Sequence, residues 1–458
     1  MGLFFGVLTQ SALGNGAGYV ALLLVAYDRY HSPWAISLVL MADLLPAMFF
    51  GPLLGAVADR FSRKWCVVIS DILRAVAFGG IAFTGDLKTT VVLAAVAGLG
   101  NGLFRPAALA AIPSLVRPER VPAATAVFGG VDDIGFTLGP ALAAGLLLVV
   151  DAETVTAFNG ATFGISALVL ARVPFGARPA ADVTPAPGRL MPSLLRETRE
   201  GMRAAAAERG LRVVMISSAV TLLFCGVFNV AELLFAQDEL DAGASGFSVL
   251  AALFGFGFLG GSLAGARGGT TARLKRGYLA GLVVLSTGFI GSALSPGIWA
   301  AALCFVATGF GNGLVLVHER LIIQAVISDT LAARIYGVKD ALTAWAFGLA
   351  FASGGGLVEA FGVRPVLLVA GLGSAATAAG AVIALRHVWA REAGSEAAQN
   401  SLAGAATRPS DRRLRGSGDG LPRQDHPDLV AAGDRWLALL DDLHERPDHA
   451  RIELGASM

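Results

Sequence analysis

Twelve long apolar runs constrain the fold of this chain more than any other feature. They lie at residues 3–27, 33–58, 65–85, 89–112, 122–149, 154–174, 211–237, 245–267, 277–295, 297–319, 333–359 and 364–388. As a helix, each run is long enough to cross the roughly 30 Å hydrocarbon core of a membrane. Because hydrocarbon offers no partner for unpaired backbone groups, the runs predict an all-α membrane protein with twelve transmembrane helices.

Composition supports the same class and excludes several others. Hydrophobic residues make up 55% of the chain and charged residues 15%, with a mean hydropathy of +0.66, which is more apolar surface than a soluble fold can bury. The net charge of +1 does not suggest nucleic-acid binding. The three cysteines lie at a helix start and inside apolar runs, so we expect no disulfide framework. The first run has no small-residue cleavage site, so we expect it to be kept as a span.

Charged residues in the loops predict the orientation. One side, which we call the basic face, carries Arg60, Arg63, Lys64, Arg117, Arg120, Arg267, Arg273, Lys275, Arg276, Arg320, Arg334 and the arginines of a central segment. The other side, the acidic face, carries only Arg29, Lys88 and Arg364 as cations, together with Asp151, Glu153, Asp238, Glu239 and Asp241. Because short cytoplasmic loops are enriched in Lys and Arg, we expect the basic face and both termini in the cytoplasm.

The spans fall into two sets of six. We predict six-helix bundles at residues 1–174 and 211–388, a cytoplasmic linker with an interfacial helix at 175–210, and a cytoplasmic, mostly disordered tail at 389–458. An internal repeat supports two related halves, because Asn101-Gly102-Leu103 and Asn312-Gly313-Leu314 begin matching segments. The bundles should therefore be related by a pseudo-two-fold axis.

The loop after the second span concentrates charge in a short turn. Its pattern consists of Gly55, Asp59, Arg60, Arg63 and Lys64. We expect Gly55 to end the helix and the charges to be held against neighbouring helix ends, as a gate at the basic face. The alternative is that the cations only anchor a cytoplasmic loop. The corresponding loop of the second half has a similar pattern of glycines and cations but carries Gly269 in the place of Asp59.

Small residues and a proline mark the fifth span. Gly135 and Gly139 are spaced for close contact with another helix, and Pro140 removes a backbone hydrogen bond, so this helix should bend and pack tightly. Generic small-residue packing is the alternative reading, because glycine and alanine are abundant throughout the chain.

Charged residues inside spans are costly and mark functional sites by default. Asp132 and Asp133 lie near the middle of the fifth span and are the first candidates for proton coupling. Asp43, Arg105 and Glu232 are further candidates for coupling or substrate binding. The alternative is that Arg105 forms an ion pair with either Asp132 or Asp133 that has only a static, structural role.

Several of these motifs resemble one family. The Gly55–Lys64 pattern resembles the loop motif between helices two and three of the major facilitator superfamily, and Gly135, Gly139 and Pro140 resemble the antiporter motif of its drug exporters. Further segments look like the group that holds the enterobactin exporter and the macrolide-efflux permeases: Ser70-Asp71-Ile-Leu-Arg74-Ala75, Phe104 to Val116 and Glu200-Gly201-Met202-Arg203. That group commonly has an arginine where this chain has Ala108.

The resemblance implies a secondary active transporter of the inner membrane. It would export small lipophilic or amphipathic molecules, such as drugs, macrolides or siderophores, by proton antiport with alternating access. We expect small-molecule substrate, protons and membrane lipids as partners, a monomer, no cofactor or metal, and no enzyme activity, since no phosphate loop, metal spacing or nucleophile arrangement is present. The alternatives are an importer or facilitator of a polar metabolite in the same fold, and a transport-dead scaffold or receptor.

Overall fold

The computed structural model describes residues 2–173, 206–267, 270–327 and 329–406, together with positions 175, 196, 199, 200, 202 and 203. The twelve predicted spans are confirmed as helices. They are α1 (Gly2–Tyr30), α2 (Pro33–Arg60), α3 (Arg63–Phe83), α4 (Leu87–Leu115), α5 (Val121–Leu146), α6 (Ala152–Arg172), α7 (Arg209–Leu234), α8 (Gly243–Ala266), α9 (Thr271–Leu294), α10 (Ile298–Val326), α11 (Asp329–Phe361) and α12 (Val363–Ala406). In the described part, eleven helices are long and apolar enough to cross a membrane. The remaining one, α5, carries Asp132 and Asp133 at its centre.

Two helix ends differ from the prediction. Gly55 does not end α2, which continues to Arg60 before Phe61 takes an extended conformation. The prediction was wrong because Gly55 keeps an ordinary helical φ, and glycine is tolerated inside membrane helices. The last helix, α12, runs to Ala406, past the predicted end at residue 388. Most of the predicted linker, including its interfacial helix, and residues 407–458 lie outside the described residues.

Aspartate caps begin two helices at the acidic face. The Asp86 carboxylate accepts a hydrogen bond from the Thr89 backbone at 2.9 Å, and Asp151 accepts one from the Thr154 backbone at 2.8 Å. These bonds satisfy amide groups that have no partner within the helix. The backbone and side chain of Thr89 lower the pKa of the Asp86 carboxyl group, and the side chain and backbone of Thr154 lower that of Asp151, so both caps are charged at neutral pH.

Close helix contacts confirm the internal repeat. A Cβ atom at Gly98 of α4 would collide with the Asp43 carbonyl oxygen of α2, and one at Gly309 of α10 would collide with the Phe254 carbonyl oxygen of α8. The same residue offset relates the two glycines, the two carbonyl groups and the two Asn-Gly-Leu segments. The halves therefore share one packing scheme, in which α2 on α4 corresponds to α8 on α10.

Each bundle has an arginine clamp at the acidic face. Arg29 of α1 pairs with Glu153 of α6 at 3.3 Å, and Arg364 of α12 pairs with Glu239, just after α7, at 2.7 Å. The guanidinium groups also donate to carbonyl oxygens at the end of a third helix: Ile81 and Ala82 for Arg29, Ala293 and Ser295 for Arg364. The acid and the base have exchanged helices between the halves, but both clamps hold three helix ends together.

The apolar core shows how the bundles meet. In the half of the helices near the acidic face, one continuous core contains side chains from both bundles, including Leu23, Val39, Phe228, Phe289 and Phe351. Near the basic face the core divides into separate clusters, one around Phe4, Cys66 and Phe128, the others around Tyr278, Leu282, Ile323 and Ile335. The bundles are therefore joined on the acidic side and packed independently on the basic side.

Candidate functional site

Helices α2 and α11 form the first seam between the bundles. A Cβ atom at Gly355 of α11 would lie 2.8 Å from the Pro33 carbonyl oxygen and 2.9 Å from the Trp34 Cα atom of α2. Further toward the middle, the rings of Phe49 and Trp345 meet edge to face with centroids 5.6 Å apart. Only a residue without a side chain allows the backbones to approach this closely, so Gly355 permits closure of the seam near the acidic face.

Helices α5 and α8 form the second seam. The Thr137 hydroxyl of α5 donates to the Gly255 carbonyl of α8 at 3.4 Å. Beside it, the Phe136 ring contacts Phe258 with centroids 5.4 Å apart and Phe254 at 6.2 Å. This seam therefore presents aromatic surface next to the predicted coupling residues of α5.

A latch joins the bundles at the acidic face itself. The Tyr27 hydroxyl of α1 donates to the Asp238 carboxylate, which lies in the π-helical turn Phe235–Glu239 after α7. Tyr27 is two residues from Arg29, and Asp238 precedes Glu239, so the latch is carried on helix ends that the two clamps hold in place. Together with the seams, it closes the acidic face.

Two of the predicted candidates are buried in helices that belong to opposite bundles. Asp43 of α2 and Glu232 of α7 are each 8% exposed, and the side chain of Tyr19 in α1 interacts electrostatically with both carboxyl groups. The Asp43 Oδ1 atom is buried and has no hydrogen-bond partner. Among the described residues, no cation forms an ion pair with either acid. Two acids from opposite bundles thus lie in apolar surroundings without compensation. We call Tyr19, Asp43 and Glu232 the inter-bundle acid site.

Arg105 lies closer to the basic face, in α4. Its side chain is exposed and interacts electrostatically with Asp340 of α11, across the gap between the bundles. The side chains of Asp132 and Asp133 lie outside the described set, so the alternative of a static pair with Arg105 stays a prediction. The candidate residues therefore divide into a buried site near the acidic face and a charged one near the basic face.

A polar network in the second bundle was not predicted. Glu319 of α10 is 1% exposed and pairs with Lys339 of α11 at 3.1 Å. Nearby, the Tyr278 hydroxyl of α9 lies 2.7 Å from Ser217 Oγ and 3.0 Å from Ser218 Oγ of α7. The internal repeat pairs Glu319 with Ala108, so the first bundle has no corresponding acid.

A buried ion pair occupies the first bundle. Asp71 of α3 is fully buried, pairs with Arg74 one turn later and accepts a hydrogen bond from the Ser166 hydroxyl of α6. The Arg74 guanidinium lies 4.2 Å from the ring centroid of Phe104 and 4.1 Å from that of Phe163. The sequence could have indicated this ion pair, because an acid and a base three residues apart inside an apolar run lie on the same side of the helix.

The fifth-span motif packs against α1. A Cβ atom at Gly139 would lie 2.5 Å from the Gly16 Cα atom, and one at Gly135 would lie 2.5 Å from the Ala12 carbonyl oxygen. Pro140 lies within α5. The sequence predicted close contact but did not specify the partner helix. The role of the motif in transport stays a prediction.

The predicted gate residues surround the turn between α2 and α3. Arg60 is exposed, Arg63 has a buried Nε atom without a hydrogen-bond partner, and Lys64 is half-buried in the first turn of α3. No atom of a neighbouring helix lies within 4 Å of the point where a Cβ atom on Gly55 would stand. The side chain of Asp59 lies outside the described set, and the gating role of the motif stays a prediction.

We expect Asp59→Asn to favour opening of the basic face. When that face closes, the carboxylate should meet the positive end of α11, which the sequence predicts near residues 333–337 and which begins at Asp329 in the structure. Such an interaction is worth ~0.3–1 kcal/mol when exposed and up to ~2 kcal/mol when partly buried. Turnover should slow without loss of folding, and cysteines placed along the start of α11 should react faster with a polar thiol reagent from the basic side. The matched control is Gly269→Ala, at the corresponding position of the second half. Equal reactivity with and without Asp59 would mean that the motif anchors the loop.

Comparisons with known proteins agree with this architecture. Residues 3–338 match the Major Facilitator Superfamily. The MFS-type transporter YfiS of Bacillus subtilis is 27% identical over 79% of this chain and 88% of its own. The multidrug efflux pump Tap of Mycobacterium tuberculosis is 25% identical over 79% of this chain and 88% of its own.

Solved structures share the fold. A bacterial homologue of the human lysosomal transporter Spinster, in an inward-facing, unoccupied conformation, superposes with a TM-score of 0.66 at 15% identity, covering 84% of this chain and 96% of its own. The nucleoside transporter NupG gives 0.66 at 16% identity, covering 84% and 99%. With the family match over most of the sequence and two related six-helix bundles, the chain belongs to the Major Facilitator Superfamily of membrane transporters.

Proposed function

We propose that this transporter exports small lipophilic or amphipathic molecules in exchange for protons. The observation that carries the proposal is the likeness to the efflux pump Tap along most of both chains. The aromatic surface at both seams is consistent with it, because Phe136, Phe258, Phe49 and Trp345 offer apolar contact and few groups that select a particular hydrogen-bonding pattern. Drug, macrolide and siderophore-like compounds are the classes to test.

Alternating access supplies the mechanism. The acidic face is closed by the latch and by the α2/α11 seam, while the apolar cores divide toward the basic face. A substrate would enter from the basic side in this state and leave after the bundles rock to open the acidic side. Inward proton movement through carboxyl groups inside the spans would drive the cycle.

The charge pattern of the loops supports a proposed orientation in the membrane. The basic face would lie in the cytoplasm of a bacterial cell, with both termini inside and the protein in the cytoplasmic membrane. The protein would act as a monomer surrounded by lipid, because the proposed pathway lies between the two bundles of one chain.

Export is tested in cells that lack their own efflux pumps. We expect expression to lower accumulation of some antibiotics, lipophilic dyes or siderophores, and a proton uncoupler to remove the difference. Increased uptake of a polar metabolite would support the importer alternative instead. A chain truncated after residue 388 serves as the control: continued export excludes a scaffold or receptor whose tail carries the activity.

A further inference from the structure

We propose that Asp43, Glu232 and Tyr19 form a single proton site shared by the two bundles, and that the acidic face closes only when both carboxyl groups carry a proton. The role of this site in export rests on the proposed function. It assigns the coupling role to two acids on opposite sides of the bundle interface, ahead of Asp132 and Asp133 in α5.

We assign the two acids to one site because the Tyr19 side chain interacts electrostatically with both of them. Helices α1, α2 and α7 pack together there, and their side chains Leu40, Phe228 and Val230 belong to the continuous apolar core. Asp43 belongs to the first bundle and Glu232 to the second. When the acidic face opens, the bundles separate and each carboxyl group regains water. Closure therefore brings both groups out of water at the same time.

The chemistry of the site favours neutral carboxyl groups in the closed state. A charged carboxylate without a partner is very costly to bury. Asp43 Oδ1 is buried and has no hydrogen-bond partner, which leaves an acceptor position open. A proton on the carboxyl group removes the charge without needing a protein cation. We assign the positioning role to Tyr19, because it interacts electrostatically with both carboxyl groups and its hydroxyl can donate and accept hydrogen bonds.

The neighbouring helices provide no competing cation among the described residues. Cys225 of α7 also interacts electrostatically with Glu232. Several charged side chains of the surrounding helices have partners elsewhere: Arg29 with Glu153, Asp71 with Arg74, Arg105 with Asp340, and Glu319 with Lys339. Asp28, Arg60, Arg212 and Glu359 lie toward helix ends and are exposed, and the side chains of Asp132 and Asp133 in α5 are outside the described set. We therefore expect a proton from solution to neutralise the acid site.

The internal repeat shows that the fold does not require these acids. The offset that relates the bundles pairs Asp43 with Phe254 and Glu232 with Ala21. Both counterparts are apolar and pack in the same core. Because equivalent positions are filled by apolar side chains in the other half, two uncompensated acids are better explained by a function than by packing.

The test measures closure without any transported substrate. Spin labels replace Lys88 at the start of α4 and Trp299 at the start of α10, both exposed at the acidic face, in a variant without the three native cysteines. The purified, full-length protein is placed in lipid nanodiscs, and the distance between the labels is recorded from pH 5 to pH 9. Protons stabilise the closed state, so the closed population should fall as the pH rises, by up to tenfold per proton for each pH unit.

Substitutions show which residues carry the protons. The Asp43→Asn/Glu232→Gln pair should keep the acidic face closed at every pH, and each single change should leave a shallower pH dependence. Tyr19→Phe should shift the midpoint while keeping the dependence, which a merely structural residue would not do. The Asp132→Asn/Asp133→Asn pair should behave as wild type. Monodisperse gel filtration confirms that each variant is folded.

Three results would overturn the inference. The first is an unchanged pH profile in the Asp43→Asn/Glu232→Gln pair. The second is loss of the dependence only in the Asp132→Asn/Asp133→Asn pair. The third is closure that follows Na⁺ concentration at constant pH. Because no substrate is present, a failed efflux assay would count against the proposed function without affecting this result.

Discussion

Replacing Gly355 by leucine is expected to hold the acidic face open and to abolish export. The new side chain would meet backbone atoms of Pro33 and Trp34 within 3 Å, and backbone cannot move aside as a flexible side chain can. Overpacking of this kind costs about 1–3 kcal/mol. Since about 1.4 kcal/mol changes an equilibrium tenfold, the closed population should fall roughly tenfold or more. The distance between labels at positions 88 and 299 should lengthen at neutral pH.

Gly380→Leu is the matched control for this change. Gly380 is also a helical glycine of the second bundle, in α12, but it is exposed and a Cβ atom there meets nothing within 4 Å. We expect wild-type distances and export. If Gly355→Leu leaves the distance and the export rate unchanged, the α2/α11 seam does not control closure of the acidic face.

Removing the Asp71 carboxylate is expected to destabilise the first bundle strongly. Asp71→Leu removes the carboxylate that pairs with the buried Arg74 guanidinium and balances its charge. Breaking a buried ion pair on one side typically costs about 3–5 kcal/mol, whereas replacing both members by apolar residues is often close to neutral. The apparent melting temperature in detergent should fall markedly for Asp71→Leu and recover in Asp71→Leu/Arg74→Met.

Glu153→Gln provides the comparison for an ion pair closer to solvent. The Glu153 side chain is 35% exposed, and Arg29 keeps its bonds to backbone carbonyls when the carboxylate is lost. Ion pairs near the surface contribute only about 0.2–1 kcal/mol, so the melting temperature should change little. Similar losses for Asp71→Leu and Glu153→Gln would contradict the assignment of Asp71 and Arg74 as the structural pair of the bundle.

The helices were predictable because the membrane imposes a minimum length of apolar sequence. The repeat was predictable as well, and the contacts of Gly98 and Gly309 show why: each half needs a glycine where α4 or α10 meets a neighbouring backbone. Gly55 misled the prediction, because a glycine before a charged turn is also compatible with an uninterrupted helix.

The shared interaction of Asp43 and Glu232 with Tyr19 could not be predicted from the sequence. Both acids were candidates because charge inside a span is costly, but their common neighbour depends on how the two bundles dock, which no local pattern specifies. The same holds for the Tyr27 and Asp238 latch, whose members are far apart in the chain. Buried networks within one bundle, such as Glu319 with Lys339, likewise need the helix packing to be known.

Reconstituted transport tests the central claim most directly. The purified protein is placed in liposomes together with a compound that the cell assay shows to be exported, and a pH gradient is imposed across the bilayer. Proton-driven antiport predicts movement of the compound against its own gradient, toward the side with more protons, in step with proton flow the other way. The movement should stop when the gradient is dissipated and should be lost in Asp43→Asn/Glu232→Gln. Accumulation that follows the compound's own gradient alone, or that moves with the protons, would contradict the account.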